Sequence, residues 1–257
     1  LIAVTGSIAA VKAPILISRL IKAGAQVKCV ITKSAAKLVS PLSLSTLSRN
    51  KCYQDKDQWQ ESQTKPLHIA LAEWADLIIV APMSATSISK FTNGSADGLV
   101  ASILLATQSQ IVIAPAMNTS MWSNQSVKKN WDYLKNLDQV ISLEPAEGLL
   151  ACNSIGQGKM ANLDIIELAT ESAFIFNAQN KFLTKDFKKR RFLVTAGPTV
   201  EDLDAARQLT NKSSGKMGVL IAQAAKLRGA EVDLVHGPIS VQKNLLEGLR
   251  THEVKSS

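Results

Sequence analysis

Short apolar runs alternate with segments of helical period along the first two thirds of the chain, and that rhythm leaves few folds open. Residues 2–5, 27–31, 77–81, 111–115 and 140–143 are the runs, and Lys28 is the one charged residue among them. Runs of that length and character fit strands buried on both faces of a parallel sheet. Between them, residues 9–23, 67–74, 96–106 and 127–137 carry the period of helices, and 164–177 closes the series. The alternation predicts an α/β fold: a doubly wound parallel sheet that binds its ligand at the carboxyl ends of its strands.

A change of composition follows. Residues 179–190 are polar and lysine-rich and read as a linker. A second unit then opens, with a strand at 191–195, a helix at 216–228 and a strand at 231–235. This divides the chain into domains at 1–178 and 191–257. About 65 residues in one open unit are too few to close a sheet around a core. The second domain therefore reads as truncated, or as borrowing surface from a partner.

Bulk properties exclude several classes. Apolar residues make up 46% of the 257, which argues against general disorder. No apolar stretch is long enough to span a membrane, and the opening residues do not read as a signal segment. The three cysteines, Cys29, Cys52 and Cys152, are far apart. That is neither a disulfide framework nor a zinc spacing, and it suits a reducing, cytoplasmic compartment. A net charge of +8 fits anionic small substrates as well as nucleic acid. The one dense basic run, residues 188–191, has no stacking aromatics interleaved and reads as solvated linker, so no nucleic-acid partner is expected.

Chemistry-bearing residues gather where the strands end. The first strand runs into TGSIAA (5–10), where Gly6, the Ser7 hydroxyl and the N–H groups around Ile8 can form a phosphate cradle. Thr32 and Ser34 end the second strand and can complete it. There are too few glycines for a dinucleotide fingerprint, so a mononucleotide is the better fit. APMSAT (81–86) ends the third run, where the small residues Ser84 and Ala85 let a flat ring approach the backbone. Asn118, after the fourth, can offer two N–H donors to a carboxylate or simply cap the next helix. His68 opens a helix, a position that disfavours imidazolium. Cys152 sits in the glycine-punctuated ACNSIGQGKM (151–160), where an ordinary thiol is mostly protonated and can donate a proton.

Taken together, TGSIAA, HIALAEWAD (68–76), APMSAT, PAMNTSMW (115–122) and ACNSIGQGKM resemble the flavin-dependent phosphopantothenoylcysteine decarboxylases. VTAGPTVEDLD (194–204) and R-x3-TNKSSGKMG (207–218) resemble the start of the phosphopantothenate–cysteine ligase domain. The order is that of the fused bifunctional enzymes of bacterial coenzyme A biosynthesis. The resemblance implies a flavodoxin-like flavin decarboxylase fold followed by the N-terminal fragment of a Rossmann-like ligase domain. It implies FMN as cofactor and phosphopantothenoylcysteine as substrate, with thiol oxidation, loss of CO2 and re-reduction giving phosphopantetheine. His68 would be the base, Asn118 would hold the departing carboxylate and Cys152 would protonate the product. Gly6, Ser7, Ile8, Thr32, Ser34, Ser84 and Ala85 would bind FMN. Asn118, Met121 and Lys159 would bind substrate, and no metal is implied in this domain.

In the second domain the family uses CTP and Mg2+. Gly197, Asn211, Ser213, Gly215, Lys216, Met217 and Gly218 match its nucleotide and substrate loops. A later lysine-rich nucleotide segment has no counterpart here, so this chain is expected to lack ligase activity. The family binds FMN between subunits of a trimer, and its fused forms build dodecamers; Met121 and Trp122 suit such an interface. Two alternatives remain: a peptidyl-cysteine decarboxylase, whose known members lack the ligase unit, and a non-catalytic flavin-fold regulatory subunit.

Overall fold

A six-stranded parallel sheet organises the first part of the chain. The computed structural model describes residues 1–59, 65–149, 155–179 and 181–256, which divide into two units, Leu1–Phe182 and Leu183–Ser257. In the first unit the strands are β1 (Ile2–Val4), β2 (Cys29–Ile31), β3 (Cys52–Tyr53), β4 (Leu77–Met83), β5 (Gln110–Pro115) and β6 (Val140–Ser142). Their spatial order is β3-β2-β1-β4-β5-β6. Ile2 lies opposite both Cys29 and Ile79, and Ile111 opposite Val140. Every residue of β4 and β5 is buried. Two-sided burial is why these strands read as continuous apolar runs rather than alternating ones.

The covering helices are α1 (Ala13–Lys22), α2 (Pro41–Ser48), α3 (Leu67–Trp74), α4 (Ala85–Thr92), α5 (Leu99–Ala106), α6 (Thr119–Ser123), α7 (Gln125–Lys135) and α8 (Leu163–Asn177). Ile78, Val80, Ile103, Ile111, Trp122 and Trp131 lie in the principal core. The helix expected over residues 9–23 is divided. A short 3-10 helix, Ile8–Lys12, precedes α1, whose first turn contains Pro14. Proline lacks an N–H and its ring blocks continuation from the preceding turn. The helix α4 has no counterpart in the sequence reading, because its serines, threonines and isoleucine are mediocre helix formers. It starts because the Ser87 N–H donates to Ser84 Oγ at 3.3 Å. The glycine-rich segment read as a loop contributes β8 (Ile155–Lys159), which pairs antiparallel with β7 (Ala146–Leu149) just before it.

The strand order reverses between β1 and β4, and one side chain joins their ends. Thr5 is fully buried. Its hydroxyl donates to the Pro82 carbonyl at 2.8 Å and accepts the Ser84 N–H at 2.7 Å. Its own N–H also donates to Pro82 O, at 3.2 Å.

In the second unit, β9 (Arg191–Ala196), β12 (Glu231–His236) and β13 (Arg250–Glu253) form a parallel sheet in the order β13-β12-β9, with β10 (Val200–Asp202) and β11 (Gln208–Thr210) as a separate antiparallel ribbon. The helix α9 (Lys216–Leu227) packs on the sheet, where Val194, Val219, Ala222 and Leu234 form a small core. Part of the segment read as linker packs here too. Arg228 pairs with Asp186 and lies 3.7 Å from the centre of the Phe187 ring. Among the described residues, no helix is long and apolar enough to cross a membrane.

Thr5→Val keeps the side-chain shape but leaves the Ser84 N–H without its acceptor. It is expected to lower unfolding free energy by about 1–3 kcal/mol in urea titrations, whereas Thr5→Ser retains most of the stability.

Candidate active site

Two adjoining cavities open where β1, β4 and β5 end. The larger, about 440 Å³, is lined mainly by apolar and small residues, including Ile8, Val11, Met117 and Met121, with Lys12, Asn118 and Lys159 also on its wall. The smaller, about 180 Å³, carries hydroxyls and charges from Thr32, Ser34, Asp55, Ser87, Lys90 and Asp97 beside the apolar Val100, Ala101 and Leu104. Gly6, Ser84 and Thr86 belong to both.

Local sequence explains the shape. A Cβ on Gly6 would sit 2.6 Å from Ser34 Cβ, so glycine is what lets the loop after β1 close against the loop after β2. The Ala35 N–H donates to Thr32 Oγ1 at 3.3 Å, and Ser84 Oγ lies 3.1 Å from Ser87 Oγ. Asp55 Oδ1 accepts the Leu99 N–H at 2.8 Å, fixing the start of α5 beside the polar cavity. Lys90 Nζ donates to Asp97 Oδ2 at 2.6 Å and to Asp97 O at 2.9 Å. That hydrogen bond holds the Asp97 carboxyl below the usual carboxylate range.

On the apolar side, Asn118 caps α6, with its Oδ1 accepting the Ser120 N–H at 2.8 Å. The cap fixes the carboxamide at the cavity wall. The strand β8 lies against this turn: the Met117 N–H donates to Gly158 O at 2.9 Å, and Trp122 Nε1 to Gln157 Oε1 at 3.1 Å. Gly158 has φ +149° and a Cβ there would collide with Met117 O. Only glycine lets β8 come this close.

The cofactor candidates from the sequence all line a cavity. Gly6, Ser7, Ile8, Ser84 and Ala85 line the larger, and Gly6, Thr32, Ser34 and Ser84 the smaller. Asn118, Met121 and Lys159 line the larger. Cys152 lies outside the described residues. His68 is half-buried in the first turn of α3 and lines neither cavity. Its Nδ1 is buried without a hydrogen-bond partner among the described residues. The described linings thus place Asn118, but not His68, on a cavity wall.

Trp122, read as an interface residue, is 1% exposed and packs edge-on to Trp131, with ring centroids 5.4 Å apart. Met121 is 48% exposed. Sequence reasoning missed Lys12, Ser87, Lys90 and Asp97; for Lys12 the signal was its place just beyond the TGSIAA cradle. In the second unit, Gly197 and Gly215 both approach Ile239, and Gly218 packs against Thr195 O. Asn211, Ser213, Lys216 and Met217 are exposed. Among the described residues, no group of three or more His, Cys, Asp and Glu is placed to hold a metal ion.

A doubly wound sheet with a cavity pair of this kind at its switch point has the architecture of a nucleotide- or flavin-binding protein. The family model described as Flavoprotein matches residues 1–174, and that of the DNA/pantothenate metabolism flavoprotein C-terminal domain matches 187–257. The chain belongs to the flavoprotein family. It is similar to the coenzyme A biosynthesis bifunctional protein CoaBC of Bacillus subtilis (strain 168), at 41% identity over 243 residues. That match covers 95% of this chain and 58% of the relative, so the chain spans little more than half its length.

Among solved structures, it is similar to a cysteine-to-serine variant of a PPC decarboxylase complexed with pantothenoylaminoethenethiol. The TM-score is 0.61 and the identity 32%, covering 66% of this chain and 94% of that one. It is likewise similar to the FMN binding protein AtHal3, with TM-score 0.60 and 32% identity, covering 69% and 96%.

Cys29 and Cys52 pair in register across β2 and β3. Burial pushes their thiols up to about 11 and about 12, and a protonated buried thiol is a poor nucleophile. At pH 8 a maleimide is expected to leave both unmodified in the folded protein and to modify both in urea, as mapped by peptide mass spectrometry. Rapid labelling of either one before unfolding contradicts this assignment.

Proposed function

We propose that the first unit decarboxylates phosphopantothenoylcysteine with FMN, within an enzyme of the bifunctional coenzyme A type. The observation that carries the reading is the pair of cavities meeting at Gly6, Ser84 and Thr86. One is apolar and bounded by small residues, as a flat ring requires; the other is rich in hydroxyls, as a ribityl phosphate requires. The close approach at Gly6 supplies backbone to both. Similarity to a CoaBC protein over 95% of this chain and 58% of that relative supports the same substrate.

When bound, the flavin supplies a two-electron acceptor and donor, so that the substrate thiol can pass through a thioaldehyde, lose CO2 and be reduced again. The chain's residues orient the substrate and move protons. The Asn118 carboxamide holds the departing carboxylate. Met117, Met121 and Ile8 exclude water, which weakens solvation of that carboxylate and favours its loss as neutral CO2. Lys159 binds the substrate phosphate, with Lys12 as a second cation on the same wall. His68 takes the thiol proton, and Cys152 returns a proton to the product carbon.

Because His68 lines neither cavity of its own chain, this reading draws the base from a second copy, in line with a trimer that builds a dodecamer. Ile8, Val11 and Ile15 are each more than half exposed, and the first two also line the cavity. A copy seated on them would roof the ring site. In the second unit, Gly197, Asn211, Ser213, Gly215, Lys216, Met217 and Gly218 would serve a CTP- and Mg2+-dependent ligase.

The purified protein is expected to show a flavin absorption spectrum and to release CO2 from phosphopantothenoylcysteine faster than from a peptide ending in cysteine. Cys152→Ser is expected to stall after CO2 loss and accumulate the unsaturated thiol. Failure to bind added FMN, or preference for the peptide, overturns the assignment. His68→Asn and Asn118→Asp should each be inactive alone, yet recover activity when co-expressed as mixed oligomers. No recovery would mean that both groups act within one chain.

A further inference from the structure

The polar cavity holds a charge that the mechanism above does not use. Its hydroxyls, from Thr32, Ser34 and Ser87, are neutral and meet a phosphate oxygen much as they meet water. A phosphate entering a partly closed cavity loses hydration, and a countercharge adds to what backbone N–H groups supply. Two lysines, Lys33 and Lys90, and two carboxylates, Asp55 and Asp97, stand on this wall, with Asp55 Oδ1 taken up by the Leu99 N–H. Lys33 is exposed, so its ammonium is well hydrated and its long side chain must be ordered on binding. The Lys90 side chain is about a third exposed and Asp97 restrains it through two hydrogen bonds. An ammonium has three N–H donors, so two are engaged by Asp97 and one remains for a ligand oxygen. The Asp97 side chain is 79% exposed, and water screens its charge more effectively than it screens a charge inside the cavity.

We propose that Lys90 is the residue by which this site selects a phosphorylated flavin over an unphosphorylated one. The proposal rests on the flavin reading and extends it to a residue outside the TGSIAA and APMSAT segments. Asp97 keeps the ammonium at the cavity before ligand arrives, so little side-chain order is lost on binding. Riboflavin, without the phosphate, gains nothing from the same group. The site therefore discriminates by one preordered charge, while the ring cavity treats both flavins alike.

The test uses apoprotein of the full chain titrated with FMN and, separately, with riboflavin, following quenching of flavin fluorescence. Lys90→Met and Lys90→Gln are each expected to weaken FMN binding by about 10- to 100-fold and to leave riboflavin affinity within about twofold. Lys90→Arg, which keeps the charge, is expected to retain most of the preference for FMN. Riboflavin binding by the variants reports that they are folded. An unchanged ratio of FMN to riboflavin affinity in the two neutral variants overturns the proposal. So does an equal loss of both flavins, which would make Lys90 a structural support. If the unsubstituted protein binds neither flavin, the flavin reading itself has failed, and this result is distinct from the other two.

Discussion

The buried hydroxyl of Thr5 is the joint on which the site depends. It ties the end of β1 to Pro82 and Ser84, and the ties continue along the backbone. The Ala116 N–H donates to Met83 O at 3.1 Å, and the Met117 N–H to Gly158 O at 2.9 Å. Four segments distant in sequence are thus aligned by main-chain groups and one side chain. Each bond contributes modestly to net stability, about 1 kcal/mol. Their larger effect is geometric, because the loop at Gly6, the cap at Ser84, the cap at Asn118 and the strand β8 keep one relative placement. A site built on strand ends and capped helix starts is held more rigidly than one built on free loops.

That alignment separates two environments within a short distance. Carboxyl ends of parallel strands are where helix N-termini and exposed backbone N–H groups collect, so polar ligands gather there in doubly wound folds. Here the side chains divide the space. Towards the end of β2 and the start of α4 the wall is hydroxylic and charged, with Val100, Ala101 and Leu104 of α5 beside it; towards α6 and β8 it is sulfur-rich and apolar. The division follows from residue size at Gly6, Ser84 and Ala85, where nothing bulky fills the junction. Larger side chains there would split the space into two unrelated hollows.

The sequence made the central strands legible because LIIVAPM and QIVIAP admit no water-facing side. It concealed β7 and β8 because Gly148, Gly156 and Gly158 erase the alternation that marks a strand. Candidate residues at strand ends were legible for the same reason as the strands: topology sends them to one edge of the sheet. His68 follows another logic. It belongs to α3, which packs against α5, and no spacing along the chain says which cavity a helix start will meet. Trp122 was misread through its neighbour. Successive residues on a helix point about 100° apart, so Met121 can face outward while Trp122 enters the core. Lys90 and Asp97 stand on either side of the Asn93–Gly94 turn, and only the fold shows that they pair.

The second unit shows what the same strand–helix–strand unit becomes with a helix on one face only. In β12, Val232, Leu234 and His236 are buried, while Glu231 is exposed and Asp233 and Val235 are half-buried. This is the alternation of a one-sided strand, unlike the unbroken burial of β4. Asp233 lies 3.0 Å from His252 Nε2 and 3.3 Å from Arg250 Nη1 on β13. The hydrogen bond from His252 holds the Asp233 carboxyl below its ordinary range. Exposed pairs of this kind add little stability. Leu193 is 72% exposed and stands between Arg191 and Thr195 on β9, in register with Asp233. Val235 of β12 shares that face and is half-buried. The alternation in β12 thus separates a covered face from one that mixes charged and apolar residues, whereas the first unit's central strands are written for cover on both sides.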